Sequence, residues 1–186
     1  MSKVFFTSDT HFGHDGILKH CPDTRQYANV REMDRVLVQN WNAVVGPRDT
    51  VYHLGDVAWA KDETFKLMKQ LNGEKILIPG NHDKKSMQDK RFLGLWDRII
   101  PSSYHEVYID DILVVLCHYP IWEWNGIFAG SWHLHGHVHA KPTGIPGKIL
   151  DVGVDNNGGY PFSVAQIKKE MAAKEQGTDR KRVSIL

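Results

Sequence analysis

Five short apolar runs in this chain each stop at an aspartate, an asparagine or a histidine. The run from Lys3 to Ser8 meets Asp9-Thr10-His11, and the run from Thr50 to Leu54 meets Gly55-Asp56. The run from Lys75 to Ile78 meets Pro79-Gly80-Asn81-His82-Asp83. The run from Ile112 to Cys117 meets His118, and the run from Trp132 to His135 meets Gly136-His137-Val138-His139. Short runs of branched and aromatic residues with Gly, Pro or Asn at their borders read as strands. Between the first three, the spacing turns helical. Val30, Met33, Leu37 and Trp41 follow an N-cap at Asn29, and Phe65, Met68 and Leu71 share a face behind Asp62. A hairpin about Asp110-Asp111, a strand from Lys148 to Val152 and a last helix opened by Ser163 with Gln166 complete the pattern. A βαβα opening followed by a β-rich half predicts a mixed α/β core with helices outside. In open α/β sheets ligands gather beyond the carboxyl ends of the strands, which is where these polar residues fall.

The 186 residues predict a single domain over 1–170 and a polar, frayed tail over 171–186. With 41% apolar and 24% charged residues the chain is neither disordered nor membrane-like. No apolar run approaches the roughly 18 residues needed to span a bilayer. The Val4-Phe5-Phe6 run is too short for a signal-peptide core. A formal net charge of +1 gives no global field toward nucleic acid or lipid. Cys21 and Cys117 are too few for a disulfide scaffold, and a reducing, cytoplasmic setting is expected. The oligomeric state is not legible in the sequence.

Any one strand-end Asp has a plain explanation as a turn former or cap. The ordered set does not. Carboxylate, carboxamide and imidazole donors together suit borderline divalent ions such as Mn²⁺, Fe²⁺ or Zn²⁺. No thiolate pair suggests a structural zinc site. Seven candidates, Asp9, His11, Asp56, Asn81, His118, His137 and His139, exceed the needs of one four-coordinate ion. A carboxylate shared between two ions fits that number better, and such pairs support in-line displacement at phosphorus.

On these blocks the chain resembles the calcineurin-like metallophosphoesterases, in particular the small stand-alone bacterial and phage members. The resemblance spans Asp9 to His139, about 70% of the chain. It implies a two-sheet β-sandwich flanked by α-helices, a four-layer α/β/β/α fold. It implies that Asp9, His11 and His139 bind one metal, that Asn81, His118 and His137 bind the second, and that Asp56 bridges them. It implies His82 near the leaving group, oriented by Asp83. The reaction implied is hydrolysis of a phosphodiester or phosphomonoester by a hydroxide between two divalent ions, with His82 as general acid. Mn²⁺ is the first choice of metal, with Fe²⁺, Zn²⁺, Ni²⁺ and Co²⁺ as others.

The substrate is less legible. His14 follows the first block and is a candidate for the site or the substrate phosphate, and Arg25 for phosphate. Trp122 and Trp124 lie between the fourth and fifth blocks, where aromatics could stack a base. His53 reads as a core histidine, and His135 as a candidate behind the metal ligands. The partners expected are a phosphate ester, nucleotide or nucleic-acid end, and no membrane. Two alternatives remain: a nuclease or end-processing enzyme, and a non-catalytic, metal-stabilised interaction module.

Overall fold

The computed structural model describes residues 2–59 and 62–177. Strands β1 (Val4–Thr7), β2 (Thr50–His53), β3 (Glu74–Leu77) and β4 (Arg98–Ile99) run parallel to one another. Strands β5 (Tyr104–Ile109), β6 (Ile112–Cys117), β7 (Trp132–His135) and β8 (Ile149–Asp151) form a second sheet in that order. In it β5 is antiparallel to β6 and the rest are parallel. Strand β9 (Phe162–Ser163) returns antiparallel to β1, so the first sheet has the order β4-β3-β2-β1-β9. The hairpin turn is where the sequence puts it, with Asp110 in the left-handed region at φ 52°.

The helices are α1 (Ile17–His20), α2 (Val30–Val44), α3 (Asp62–Met68), α4 (Lys90–Leu93) and α5 (Val164–Ala172). Asn29 caps α2 by accepting from Glu32 N at 3.0 Å. Helix α2 buries Met33, Leu37, Val38 and Trp41. The pleat divides the first sheet between two cores. Phe5, Val51 and Leu77 face the helices. Phe6, Leu54, Ile76 and Ile78 face Val114, Leu116, Trp132 and Leu134 of the second sheet. Each such side chain contributes roughly 1.5–3 kcal/mol on burial. The result is two packed sheets flanked by helices. On the outer face of the second sheet, Val115 and Ile149 are covered by Trp124 and Ile127 of the 119–131 loop, so much of that layer is loop.

Helix α5 packs against β1, β8 and β9 and buries Ile167 and Met171. A Ser163–Gln166 capping box starts it. The chain beyond 170 is not frayed at once. Lys148 Nζ donates to the carbonyls of Met171 and Lys174, and Gln176 bonds Phe128 O, so residues 171–177 are docked. The periodicity of α5 continues one turn past the polar residues that suggest a tail. Residues 178–186 of that expected tail lie outside the described residues. Among the described residues, no helix is long and apolar enough to cross a membrane.

Candidate metal centre

All five polar blocks arrive at carboxyl ends of parallel strands. Their loops are joined by main-chain hydrogen bonds: Asp9 N to Gly55 O, His11 N to Asp56 O and Phe12 N to Val57 O. The second sheet is tied in through Val154 N to Ser8 O and His137 N to the Asp9 carboxylate at 2.9 Å. Two of the block glycines are required by this crowding. A Cβ on Gly55 would lie 2.2 Å from Gly80 N, and one on Gly136 would lie 2.3 Å from an Asp9 carboxylate oxygen. Asp9, His11, Asp56, His137 and His139 all have φ between 48° and 73°. Left-handed backbone at a non-glycine residue costs roughly 1 kcal/mol or more. Five such residues in one place turn their side chains toward a common point at the expense of local backbone energy.

The donors meet in two groups, Asp9–His11–His139 and Asp56–His118–His137, each with ligand atoms within 4.8 Å of one another. Asp56 Oδ2 lies between them, 3.7 Å from His11 Nε2 and 3.4 Å from His118 Nε2. Asp9 Oδ1 is 3.9 Å from His11 Nε2 and 3.8 Å from His139 Nε2. Both Asp9 Oδ1 and His11 Nε2 are buried with no hydrogen-bond partner. Such atoms are expensive to leave unsatisfied. A cation with bonds of about 2.1 Å sets neighbouring donors roughly 3.0–3.4 Å apart, close to the spacings here, and would satisfy both. The donor set therefore fits divalent metal.

The histidines are aimed by their other nitrogen. His118 Nδ1 bonds Leu54 O at 2.7 Å, and His139 Nδ1 bonds an Asp155 oxygen at 2.9 Å. His11 Nδ1 faces His14 Nδ1 at 3.4 Å. With Nδ1 engaged behind the ring, the Nε2 of each faces the carboxylates, the nitrogen a bound metal would take. Asn81 Oδ1 stands 3.0 Å from His118 Nε2. Burial pushes the Asp9 carboxyl up to about 6 and holds His11 well below its ordinary range. For His118 burial works the other way but loses to the Asp56 and Asp9 carboxylates, which hold it up at about 9. Burial likewise opposes ionisation of Asp56, yet the surrounding His118 and His11 rings and the His82 N–H keep its carboxyl low.

A family model described as calcineurin-like phosphoesterase matches residues 2–167. The chain belongs to this family. Calcineurin-like phosphoesterases act on phosphoester bonds, and the family implies divalent metal ions. An uncharacterized protein of Methanocaldococcus jannaschii is 38% identical over 144 residues, covering 76% of this chain and 72% of that one. The gene 66 protein of Mycobacterium phage D29 is 27% identical over 165 residues, covering 76% and 80%. The crystal structure of a protein of unknown function from Aquifex aeolicus superposes with a TM-score of 0.74 at 29% identity, covering 91% of this chain and 99% of that one.

Within this calcineurin-like phosphoesterase several residues do something other than the sequence suggests. Asp83 is fully buried, and its carboxylate accepts from Asp56 N, Val57 N and Gly80 N at 2.8–2.9 Å. It fastens the loops carrying Asp56 and His82 rather than orienting the His82 ring. His82 is half exposed, its Nε2 3.9 Å from Asp56 Oδ2, and its backbone N–H donates to Asp56 Oδ1 at 2.9 Å. Arg25, 3% exposed, is no substrate contact. Its guanidinium holds both oxygens of Asp155 at 2.7 and 2.8 Å and bonds the carbonyls of Asp9 and Thr10. Trp124, 4% exposed, is a core residue whose Nε1 donates to Ser131 Oγ. Trp122 is exposed on the same loop. His14 is at the site, stacked on Trp59. His53 is buried between Trp41 and Trp96, with Gly55 N bonding its Nδ1 and Thr10 Oγ1 its Nε2. His135 lies buried with Nδ1 on Gly136 O and is in neither donor group.

Sequence reasoning missed Asp155 and Asp151. Asp155 carries His139, and Asp151 accepts from Ala140 N and Gly153 N, bracing the last histidine block. The signal was present: Asp151 ends a strand, as the recognised aspartates follow theirs. A third donor group, Cys21–His139–Asp155, shares two members with this support. Its Asp155 oxygens are already engaged by Arg25, Thr24 and His139, and burial keeps the Cys21 thiol up, so it does not compete.

Proposed function

We propose that this chain is a dinuclear, metal-dependent phosphoesterase acting on phosphodiesters or phosphomonoesters. The observation that carries the reading is the pair of donor groups sharing Asp56 Oδ2, with Asp9 Oδ1 and His11 Nε2 buried and unpartnered. Asp9, His11 and His139 would hold one ion, Asn81, His118 and His137 the other, and Asp56 both. The mixed carboxylate, carboxamide and imidazole donors suit borderline divalent ions, and Mn²⁺ is the one proposed for the test. When bound, two divalent ions supply positive charge for the phosphoryl oxygens and lower the pKa of an attacking water.

The chain's own residues supply the rest. Arg25 and Asp155 keep His139 Nε2 directed at Asp9. Leu54 O does the same for His118. The half-exposed His82 ring, anchored through its backbone to Asp56, is free to meet substrate. It would protonate the leaving oxygen as the P–O bond breaks, a contribution of roughly 10²–10⁴ in rate.

The test is hydrolysis of p-nitrophenyl phosphate and bis(p-nitrophenyl) phosphate by protein stripped of metal and reloaded with Mn²⁺, with metal content measured. Two ions per chain and diester turnover that chelation abolishes are expected, and on a dinucleoside phosphate, whose alkoxide leaving group needs a proton, a His82→Ala loss of about 10²-fold or more. Turnover indifferent to chelation, or dinucleoside phosphate turnover indifferent to His82→Ala, would sink the reading.

A further inference from the structure

Two large aromatic side chains are exposed beside the donors, and neither is used by the chemistry above. Trp59 is 37% exposed and Tyr119 is 42% exposed. Trp59 lies against the His14 ring at 3.9 Å with an interplanar angle of 9°. Its centroid is 5.4 Å from His82 and 6.4 Å from His11. Its backbone is pinned, since Trp59 N donates to Phe12 O at 2.8 Å and Phe12 pairs with Ala58. Tyr119 stands at the other half of the site, 4.6 Å from the His137 ring and 5.2 Å from His118. The donor floor is therefore bordered by an aromatic ring on each half.

An exposed indole on the surface needs no explanation by itself. This one has two features that a merely exposed residue lacks. One face lies against His14, which sets the plane of the ring, and it stands next to His82, which the proposed reaction puts on the leaving-group side. A planar ring held rigid is a stacking surface that costs little side-chain entropy to use.

We infer that Trp59, braced by His14, is the platform on which the nucleobase of the leaving nucleoside stacks, so that the substrate is a phosphodiester of nucleosides rather than a simple alkyl phosphate. This rests on the phosphoesterase reading for the position of the scissile bond. Tyr119 borders the half of the site that would receive the other nucleoside. Base stacking on an aromatic side chain is worth about 1–3 kcal/mol by alanine substitution, or roughly 5- to 150-fold in affinity.

The experiment uses a ligand that cannot be hydrolysed: a dinucleoside phosphonate with CH₂ in place of the leaving oxygen. Its counterpart carries an abasic sugar on the leaving side. Calorimetric affinities of the Mn²⁺-loaded protein give the ratio of base-bearing to abasic ligand. We expect a ratio of about tenfold or more in the parent, a collapse toward one in Trp59→Ala, and retention of most of it in Trp59→Phe. Unchanged binding of the abasic ligand to Trp59→Ala serves as the folding control. A ratio near one in the parent, or one that survives Trp59→Ala, overturns the inference. Turnover of bis(p-nitrophenyl) phosphate on the same preparations separates the two readings. A Trp59-dependent binding ratio without turnover would refute the catalytic reading and leave the platform standing.

Discussion

Arg25 and Asp155 form the buried ion pair on which the first donor group depends, and its removal has calculable consequences. The two are 130 residues apart in sequence, joined by bonds of 2.7 and 2.8 Å, with side chains 2% and 0% exposed. Asp155 also accepts from His139 Nδ1 and Thr24 Oγ1. Changing Asp155 to Asn keeps the shape but leaves the Arg25 guanidinium as an uncompensated buried charge. Breaking one side of a buried pair costs about 3–5 kcal/mol, a large part of the roughly 5–15 kcal/mol that holds a domain folded. Removing both partners is cheaper than removing one. Urea unfolding of chelated protein should therefore put Asp155→Asn and Arg25→Met each about 3 kcal/mol or more below the parent. The double variant should fall well short of the sum, with a coupling of about 2 kcal/mol or more. Because His139 exchanges a carboxylate acceptor for at best a neutral amide oxygen, Mn²⁺ affinity in Asp155→Asn should also fall about 10- to 100-fold. Additive effects in the cycle, or unaltered metal affinity, would refute the claim that this pair aims His139.

Three further outcomes follow from the same geometry. Asp83→Ala strands two buried main-chain N–H groups and a half-buried one, so urea unfolding should show a loss of about 3 kcal/mol, with Asp83→Asn intermediate because one oxygen remains. His137 sits at φ 73°, so in chelated protein His137→Gly should be more stable than His137→Ala by about 1 kcal/mol in thermal or urea melts. His133 is held down at about 4 by burial, with Nδ1 on Val115 O and Nε2 accepting from Ile121 N at 3.2 Å. It stays neutral in the folded chain while the unfolded chain protonates it below 6.5. Its contribution is complete above pH 6.5 and is lost as the pH falls toward 4. The stability gap between the parent and His133→Gln should narrow by up to roughly 1.4 kcal/mol per pH unit across that window.

Much of this protein was legible before any coordinates. A strand that must bury both faces is mostly apolar, so the polar cluster just beyond it marks its end, and Asp9, Asp56, Asn81, His118 and His137 stand out for that reason. Helix α2 announced itself through its period and its Asn29 cap, because both are local. The order of the blocks then carried the family and, with it, the two-sheet fold. Partners distant in sequence were not legible. Nothing near Arg25 says that its carboxylate is Asp155, and an arginine in a loop reads equally well as a phosphate contact until its burial is seen. Trp122 and Trp124 have the same local context, yet one is exposed and the other fills the outer core, because only the packing of the 119–131 loop against β6 and β8 separates them. The five left-handed residues are likewise invisible in a list of side chains. Sequence determined which donors exist and that they end strands. Tertiary structure alone decided which nitrogen of each histidine faces inward, since that depends on what lies behind the ring: Leu54 O, Asp155 or His14.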